Sequence, residues 1–228
     1  MRLLLIRRRE GDPADDAVRR AFLVDTRAGA MAVRSISDLG ELADILDASV
    51  DEFGAPLTDP ILLVCTNGKR DACCALRGRA LVTALATDHG ERVWECTHLG
   101  GHRFAGNLVC LPDGIVYGRV RPADGPRLAD AYLAGRLDPA LLRGRSAWPA
   151  PAQVAEQVLR QASGLAGLRD VELLEADIGD GSAVVTLSAA GATHRYELRA
   201  EAGEPRMISC RADSPEQPTH WRVVAAPS

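Results

Sequence analysis

Apolar positions in this chain fall mostly in short runs of strand length, with helical spacing at only a few places. Residues 2–7 and 21–25 (AFLVD) are two such runs, joined by the polar stretch Arg9–Asp16. Leu39, Leu42, Ile45 and Leu46 recur at helical spacing behind Ser37, a residue type that caps helix starts. Pro60 introduces Ile61–Cys65, an uninterrupted apolar run that fits a central strand buried on both faces. A polar, glycine-containing loop, Thr66–Asp71, leads into a helix predicted from about Ala75 to Thr87. Leu76, Ala80, Leu81, Ala84 and Leu85 mark its apolar side, and Gly90 closes it. Arg92–Cys96 reads as a second strand, followed by the loop Thr97–Asn107. Leu108–Leu111 and Ile115–Tyr117 flank Pro112-Asp113-Gly114, whose Asp-Gly pair signals a hairpin. A helix near Leu128–Leu133 ends the series.

The order strand, helix, strand, hairpin, helix predicts the α/β class and the skeleton of a thioredoxin-like sandwich, which residues 1–60 extend on the N-terminal side. The Pro-rich stretch Ser146–Pro151 reads as a linker. The expected division is therefore a main domain over 1–145 and a smaller α+β appendage over 146–228. In the appendage, Val154, Val158 and Leu159 mark a helix, and Val171–Leu174, Val184–Leu187, Arg195–Leu198 and Met207–Cys210 read as strands. No internal repeat or low-complexity tract interrupts this plan.

Composition narrows the function classes. With 46% hydrophobic and 25% charged residues over 228 positions, the chain is an ordinary globular sequence of one main domain and an appendage. Aromatics are only 4%, so the core rests on aliphatic side chains. A net charge of −4 excludes a globally basic nucleic-acid binder. Lys69 is the only lysine, and this arginine bias with abundant Ala and Gly suggests a GC-rich bacterial genome. No apolar run approaches the roughly 18–20 residues of a spanning helix, so no membrane insertion is expected. Met1–Arg9 places its arginines after its apolar run, unlike a secretory signal. The expected location is the cytoplasm. There the six cysteines at 65, 73, 74, 96, 110 and 210 are better read as metal or redox groups than as structural disulfides.

Two segments carry the chemistry: Cys65-Thr-Asn-Gly-Lys-Arg-Asp-Ala-Cys73-Cys74 and His98-Leu-Gly-Gly-His102. Each starts at the end of a predicted strand, where α/β sheets place ligand sites. The first offers thiols at C-x7-C or C-x8-C, the second imidazoles at H-x3-H; four soft or borderline donors in two pairs suit iron or zinc. Gly68, Gly100 and Gly101 let backbone pass close to a bulky inorganic group and tolerate positive φ.

The strings CTNGKRDACCALRGR and WECTHLGGHRFAGN, followed by LPDGIVYGR, resemble the sucrase/ferredoxin-like family, thioredoxin-like ferredoxins of bacteria and, in related form, fungi. The resemblance covers roughly residues 1–145. It implies a [2Fe–2S] cluster with two cysteines on one iron and two histidines on the other. Carried over by position, these are Cys65, His98, His102 and, as second thiol, Cys74 or its neighbour Cys73, with Cys74 preferred. Two departures stand out: Asn67 occupies a position where other members carry histidine, and members often have more sequence ahead of the first strand, so the chain reads as a short form or a truncated one. The word "sucrase" implies no sugar hydrolysis here, because no carboxylate pair supports it.

The resemblance thus implies an electron carrier more than a stand-alone enzyme, working with redox partner proteins of unidentified nature. Imidazoles in place of two thiolates make the cluster less negative and raise its potential. Centres with two-Cys two-His ligation lie at about −150 to +300 mV, against about −400 mV for four-cysteine plant-type ferredoxins. Histidines reaching solvent with their distal nitrogens would couple reduction to proton uptake. Lys69, Arg70, Arg77, Arg79 and Arg103 surround the site in sequence, as a docking surface for an acidic partner, as donors to cluster sulfurs, or as a solvated face.

Blander readings stand beside these. Cys96, Cys110 and Cys210 read as small core hydrophobes, with Cys96 a substitute ligand two residues before His98. His89, His194 and His220 read as structural or solvated, and Trp94 as core. Asp71 and Arg70 order their loop by local hydrogen bonds. Two other functions compete: a zinc-binding interaction module, and a thiol-dependent oxidoreductase or hydrolase on the same fold. The first lacks close C-x2–4-C spacing; the second lacks C-x-x-C and an orienting third group.

Overall fold

The computed structural model describes residues 2–9, 19–45, 48–69, 71–210 and 212–226, with side chains except at 44, 45 and 102. Most of the polar stretch before residue 19, together with Leu46 and the side chain of Ile45, lies outside the described residues.

The chain opens with β1 (Ile6–Arg7), β2 (Arg19–Asp25) and β3 (Ala30–Ile36). A 3-10 segment, Leu39–Ile45, occupies the place of the expected first helix; its 2.0 Å rise per residue suits short pieces. Next come α1 (Val50–Phe53), β4 (Ala55–Pro56) and β5 (Ile61–Cys65). Then follow α2 (Ala72–His89), β6 (Val93–Cys96), β7 (Leu108–Leu111), β8 (Ile115–Tyr117), α3 (Gly125–Leu133) and β9 (Leu142–Arg145). The C-terminal part contains α4 (Ala150–Ser163), β10 (Val171–Ile178), β11 (Ser182–Ala189), β12 (Ala192–Ala202) and β13 (Thr219–Ala225).

The main sheet has the order β1-β6-β5-β7-β8-β9. Strands β5 and β6 are parallel and joined through α2; β7 and β8 are an antiparallel hairpin beside β5, followed by α3. This βαβ unit plus hairpin plus helix, in the order β6-β5-β7-β8, is the thioredoxin-like sandwich, in the α/β class. The uninterrupted run Ile61–Cys65 is central, and all five residues are buried. Its period of two divides it between two cores. Leu62 and Val64 join Leu108, Cys110, Ile115 and Tyr117 against Leu81, Val82 and Leu85 of α2 and Leu128 of α3. Ile61, Leu63 and Cys65 face the other way with Trp94, Cys96 and Val109, under Met31, Phe22 and Val24 of the N-terminal sheet β2-β3-β4. Phe22 and Trp94 meet edge to face at 5.5 Å.

Helix α2 starts three residues earlier than the sequence indicates, because Asp71 caps it and accepts from the Cys73 N–H at 2.9 Å. Its buried stripe is Cys74, Gly78, Leu81, Val82, Leu85 and His89, so Leu76, placed on the apolar side by sequence, is instead exposed. At its end Gly90 stays right-handed (φ −47°, ψ −43°) and passes into a 3-10 turn rather than a left-handed cap. His89 is buried, with Nε2 3.1 Å from Asp130 of α3. The hairpin turn forms as expected, and its buried Asp113 accepts from the Tyr132 hydroxyl at 2.7 Å.

The four strands β10–β13 form an antiparallel meander under α4, with a core of its own around Ala155, Leu159, Val185, Leu187, Tyr196 and Leu198. Two expectations fail here. The stretch 146–151 is not a free linker throughout, since α4 begins at Ala150 behind Pro149. Met207–Cys210 is not a strand; it lies in the connection after β12, and the fourth strand is Thr219–Ala225. The runs at 2–7 and 21–25 also shift, the first shrinking to Ile6–Arg7 and the second lengthening to Arg19–Asp25. A buried ionic group ties the two parts together: Glu156 of α4 accepts from Arg145 at 3.1 Å and from Arg160 at 3.0 Å. Arg145 also donates to the Leu168 carbonyl at 2.6 Å.

Candidate metal centre

Three segments converge where β5 and β6 end and α2 begins. Cys65 is the last residue of β5, Cys74 lies in the first turn of α2, and His98 follows β6 by two residues. One donor atom from each of Cys65, Cys74 and His98 lies within 4.8 Å of the other two. Both cysteines are buried and His98 is half-buried. Of the two candidate second thiols, the structure thus groups Cys74 with Cys65 and His98. Cys73 points elsewhere, toward Asp71 and Cys210. Helical geometry explains the split, since successive residues diverge by about 100°.

Burial, reinforced by the nearby Cys65 thiol, pushes the Cys74 thiol up to about 12. Burial first, then Cys65, pushes Cys96 up as well. A bound metal is what deprotonates a thiol ligand, so the Cys74 thiol, raised by burial, needs a cation beside it to serve as one. The donor set and its spacing fit a thiophilic metal centre.

The rest of the pocket is built to hold the loop 97–107 in place. Gly100 and Gly101 adopt φ of +82° and +62°, the left-handed turn for which glycine was expected there. The Asn107 side chain, buried, donates to the Gly101 carbonyl at 3.2 Å and accepts from Arg143 at 3.2 Å. Arg2 donates to the His98 carbonyl at 2.8 Å, and Arg77 to the Ala105 carbonyl at 3.1 Å. Beneath Cys65, Thr66 donates its hydroxyl to buried Glu95 at 2.8 Å, and Glu95 also accepts from Arg7 at 2.8 Å. Gly68 leaves room for Ala75, which a Cβ would approach to 2.8 Å. Gly78 lets α2 lie directly against the Cys65 carbonyl, which a Cβ would strike.

The side chain of His102 and the whole of Arg70 lie outside the described residues; the His102 backbone sits in a 3-10 turn, His102–Phe104. The remaining basic residues expected around the site do not form one group. Lys69 is exposed in its loop, Arg77 is engaged with Ala105, and Arg79 lies toward Glu95. Arg103 instead stacks on Phe104 together with Arg119 and Arg143, at 4.7, 5.2 and 4.2 Å from the ring centre. Burial, then the neighbouring guanidiniums, lowers Arg143 and Arg103. Sequence reasoning missed Arg119, Arg143, Asn107 and Glu95, none of which stands at a motif spacing. Asp71 it assigned only to its own loop. Cys96 and Cys110 are buried in the core as read, but Cys210 is exposed, contrary to expectation. Its N–H and thiol, with the Ser209 hydroxyl, donate to Asp71.

The strand order and the Cys, Cys, His group together define a thioredoxin-like α/β protein with side chains able to hold a metal ion. The sucrase/ferredoxin-like family model matches residues 15–144, more than half of the chain, and the chain belongs to that family. Among curated proteins it is similar to altered inheritance of mitochondria protein 32 of Meyerozyma guilliermondii, 31% identical over 99 residues, 39% of this chain and 35% of that one. The protein of the same name from Eremothecium gossypii is 34% identical over 106 residues, 40% and 34% of the two chains. These matches span about a third of the relatives' length. Both relatives are fungal, which conflicts with the bacterial origin suggested by composition. Two solved structures of a thioredoxin-like [2Fe–2S] ferredoxin from Aquifex aeolicus also align. One is a cysteine-to-serine variant, 20% identical, with a TM-score of 0.34 over 38% of this chain and 100% of that one. The other is 19% identical, with a TM-score of 0.35 over 40% and 94%. Superpositions this partial carry no argument, and the fold assignment rests on the strand order. No helix among the described residues is long and apolar enough to cross a membrane.

Proposed function

We propose that this protein transfers electrons through a [2Fe–2S] cluster held by Cys65 and Cys74 on one iron and His98 and His102 on the other. The observation that carries the reading is the convergence of Cys65, Cys74 and His98 donors within 4.8 Å from a strand end, a helix start and the loop after β6. When bound, the cluster would supply one-electron chemistry; the chain supplies position, access and charge.

Cys65 and Cys74, at 0% and 1% exposure, would form the closed side of the site. His98 is half-buried, the least enclosed of the three grouped donors, so electrons would enter and leave by way of the histidine loop. The hydrogen bonds from Arg2, Arg77 and Asn107 hold that loop, which limits reorganisation when the charge changes. The guanidiniums of Arg103, Arg119 and Arg143 around Phe104 flank the same loop and would attract an acidic redox partner. The same reading treats 1–145 as the cluster-carrying unit and 146–228 as an accessory one, supported by their separate hydrophobic cores. It places the protein in an aqueous compartment, the cytoplasm.

A redox titration tests the assignment. Wild type is expected above the roughly −400 mV of four-cysteine plant-type clusters, and His98→Cys is expected to fall toward it. If the imidazoles exchange protons with solvent, the potential falls toward about 59 mV per pH unit in alkaline solution. A colourless protein holding zinc instead would overturn the reading.

A further inference from the structure

The connection between β12 and β13 returns to the main domain at the N-terminus of α2. Asp71, 1% exposed, is the clamp. One carboxylate oxygen accepts from the Ser209 hydroxyl at 2.8 Å and the Cys210 N–H at 3.2 Å; the other accepts from the Cys210 thiol at 2.9 Å and the Cys73 N–H at 2.9 Å. These hydrogen bonds outweigh burial, the largest influence on Asp71, and hold its carboxyl well below the usual range. A single buried acceptor thus joins two segments 139 residues apart. The consequence is that the Cys73 and Cys210 thiols and an Asp71 oxygen all lie within 4.8 Å of one another. Cys210 is exposed and Cys73 half-buried, so Cys210 is the more accessible residue of the two.

We propose that Cys73 and Cys210 form a second, thiol-based redox site, which closes to a disulfide by exchange with a small disulfide such as oxidised glutathione. The sulfur of Cys210 attacks the glutathione disulfide, forming a Cys210–glutathione bond and releasing one glutathione thiol. The Cys73 sulfur then attacks Cys210, forming the Cys73–Cys210 bond and releasing the second glutathione. Two protein thiols are oxidised, one small disulfide is reduced to two thiols, and each thiol proton ends on a departing glutathione. The sulfurs must close from within 4.8 Å to about 2.05 Å, which the irregular connection carrying Cys210 allows. The bond would fasten the C-terminal part to the first turn of α2, one residue from Cys74. It requires no metal at Cys65 and Cys74, so it stands or falls apart from the cluster assignment.

The test incubates the purified full chain in oxidised and reduced glutathione, traps free thiols by alkylation, and maps the peptides with and without reduction. A pre-positioned partner acts at an effective concentration of about millimolar or more. The expected dominant product is therefore the Cys73–Cys210 cross-linked pair, with Cys73 protected from alkylation. Cys210→Ser, on an exposed connection and without demands on the core, should restore Cys73 alkylation by about tenfold or more. Asp71→Ala should lower the cross-link yield several-fold although both cysteines remain in the chain. Glutathione remaining on Cys210 without further reaction would overturn the proposal. So would a dominant Cys73–Cys74 or Cys65–Cys74 bond, or protection of Cys73 and Cys210 that a chelator removes without any reductant.

Discussion

Gly78→Ala adds one methyl group at the point where α2 meets the end of β5. The new Cβ would lie well inside 3.0 Å of the Cys65 carbonyl oxygen, 3.1 Å from the Cys65 carbonyl carbon and 3.2 Å from Thr66 Cγ2. The obstacle is mainly backbone, so no side chain can swing aside, and ordinary contact requires helix and strand to part by about 1 Å. Replacing a mid-helix glycine by alanine gains about 1 kcal/mol in helix propensity. Overpacking of a tight core contact costs about 1–3 kcal/mol, and rigid backbone on one side puts this site at the upper end. The expected net loss is about 2 kcal/mol, or about 4–8 °C in Tm for a chain of this size. Gly90→Ala is the matched control, because that glycine is right-handed and its Cβ would meet nothing within 4 Å. It should gain about 0.4–1 kcal/mol. Urea denaturation followed by tryptophan fluorescence reads both. Since Cys65 and Cys74 ride on the two elements that separate, the alanine at 78 should also lower iron retained per chain. A Gly78→Ala protein as stable as the Gly90→Ala control would refute the reasoning.

Four further outcomes follow from the same geometry. Asp71→Ala removes a helix cap and the shared acceptor of Ser209 and Cys210, and should cost about 2–4 kcal/mol in urea denaturation at pH 7. The folded Asp71 carboxyl is held below its unfolded value of about 3.9, so its contribution is present above that pH and lost as pH falls through the acid range. The stability gap between wild type and Asp71→Asn should therefore be widest near neutrality and narrow below about pH 4. Glu156→Ala strands Arg145 and Arg160 as buried charges without their carboxylate, and should destabilise by about 3–5 kcal/mol, read by thermal denaturation. Cys96→Ala, a core change outside the convergent donors, should keep its iron, whereas Cys74→Ala should lose it and Cys73→Ala should not; metal analysis separates the three.

What could be read from the sequence was what local pattern decides. Ile61–Cys65 needed no partner to be recognised, because an unbroken apolar run buried on both faces has few other solutions. The spacing C-x7-C or C-x8-C left both Cys73 and Cys74 open as partners of Cys65, and the preference for Cys74 came from the family resemblance; the two thiols diverge only because both ride on the first turn of α2. Strand β9 gave no such signal: Leu-Arg-Gly-Arg is polar, and Arg145 is buried only because Glu156 and the Leu168 carbonyl receive it. Strand β3, whose pattern is broken by Arg34 and Ser35, is defined by pairing with β2. Met207–Cys210 has the apolar look of a strand but is held by Asp71 from across the molecule. Cys210 failed as a core residue for the same reason, since a contact spanning 139 residues leaves no trace in local spacing. Leu76 was misplaced because the buried stripe of α2 follows the small residues Cys74 and Gly78, which let the helix approach β5.

The central claim is most directly tested by iron and acid-labile sulfide analysis of the anaerobically purified protein, beside Cys65→Ser. The account predicts about two irons and two sulfides per wild-type chain, and near-complete loss of both from Cys65→Ser. Zinc in their place, or iron retained undiminished without Cys65, would contradict it.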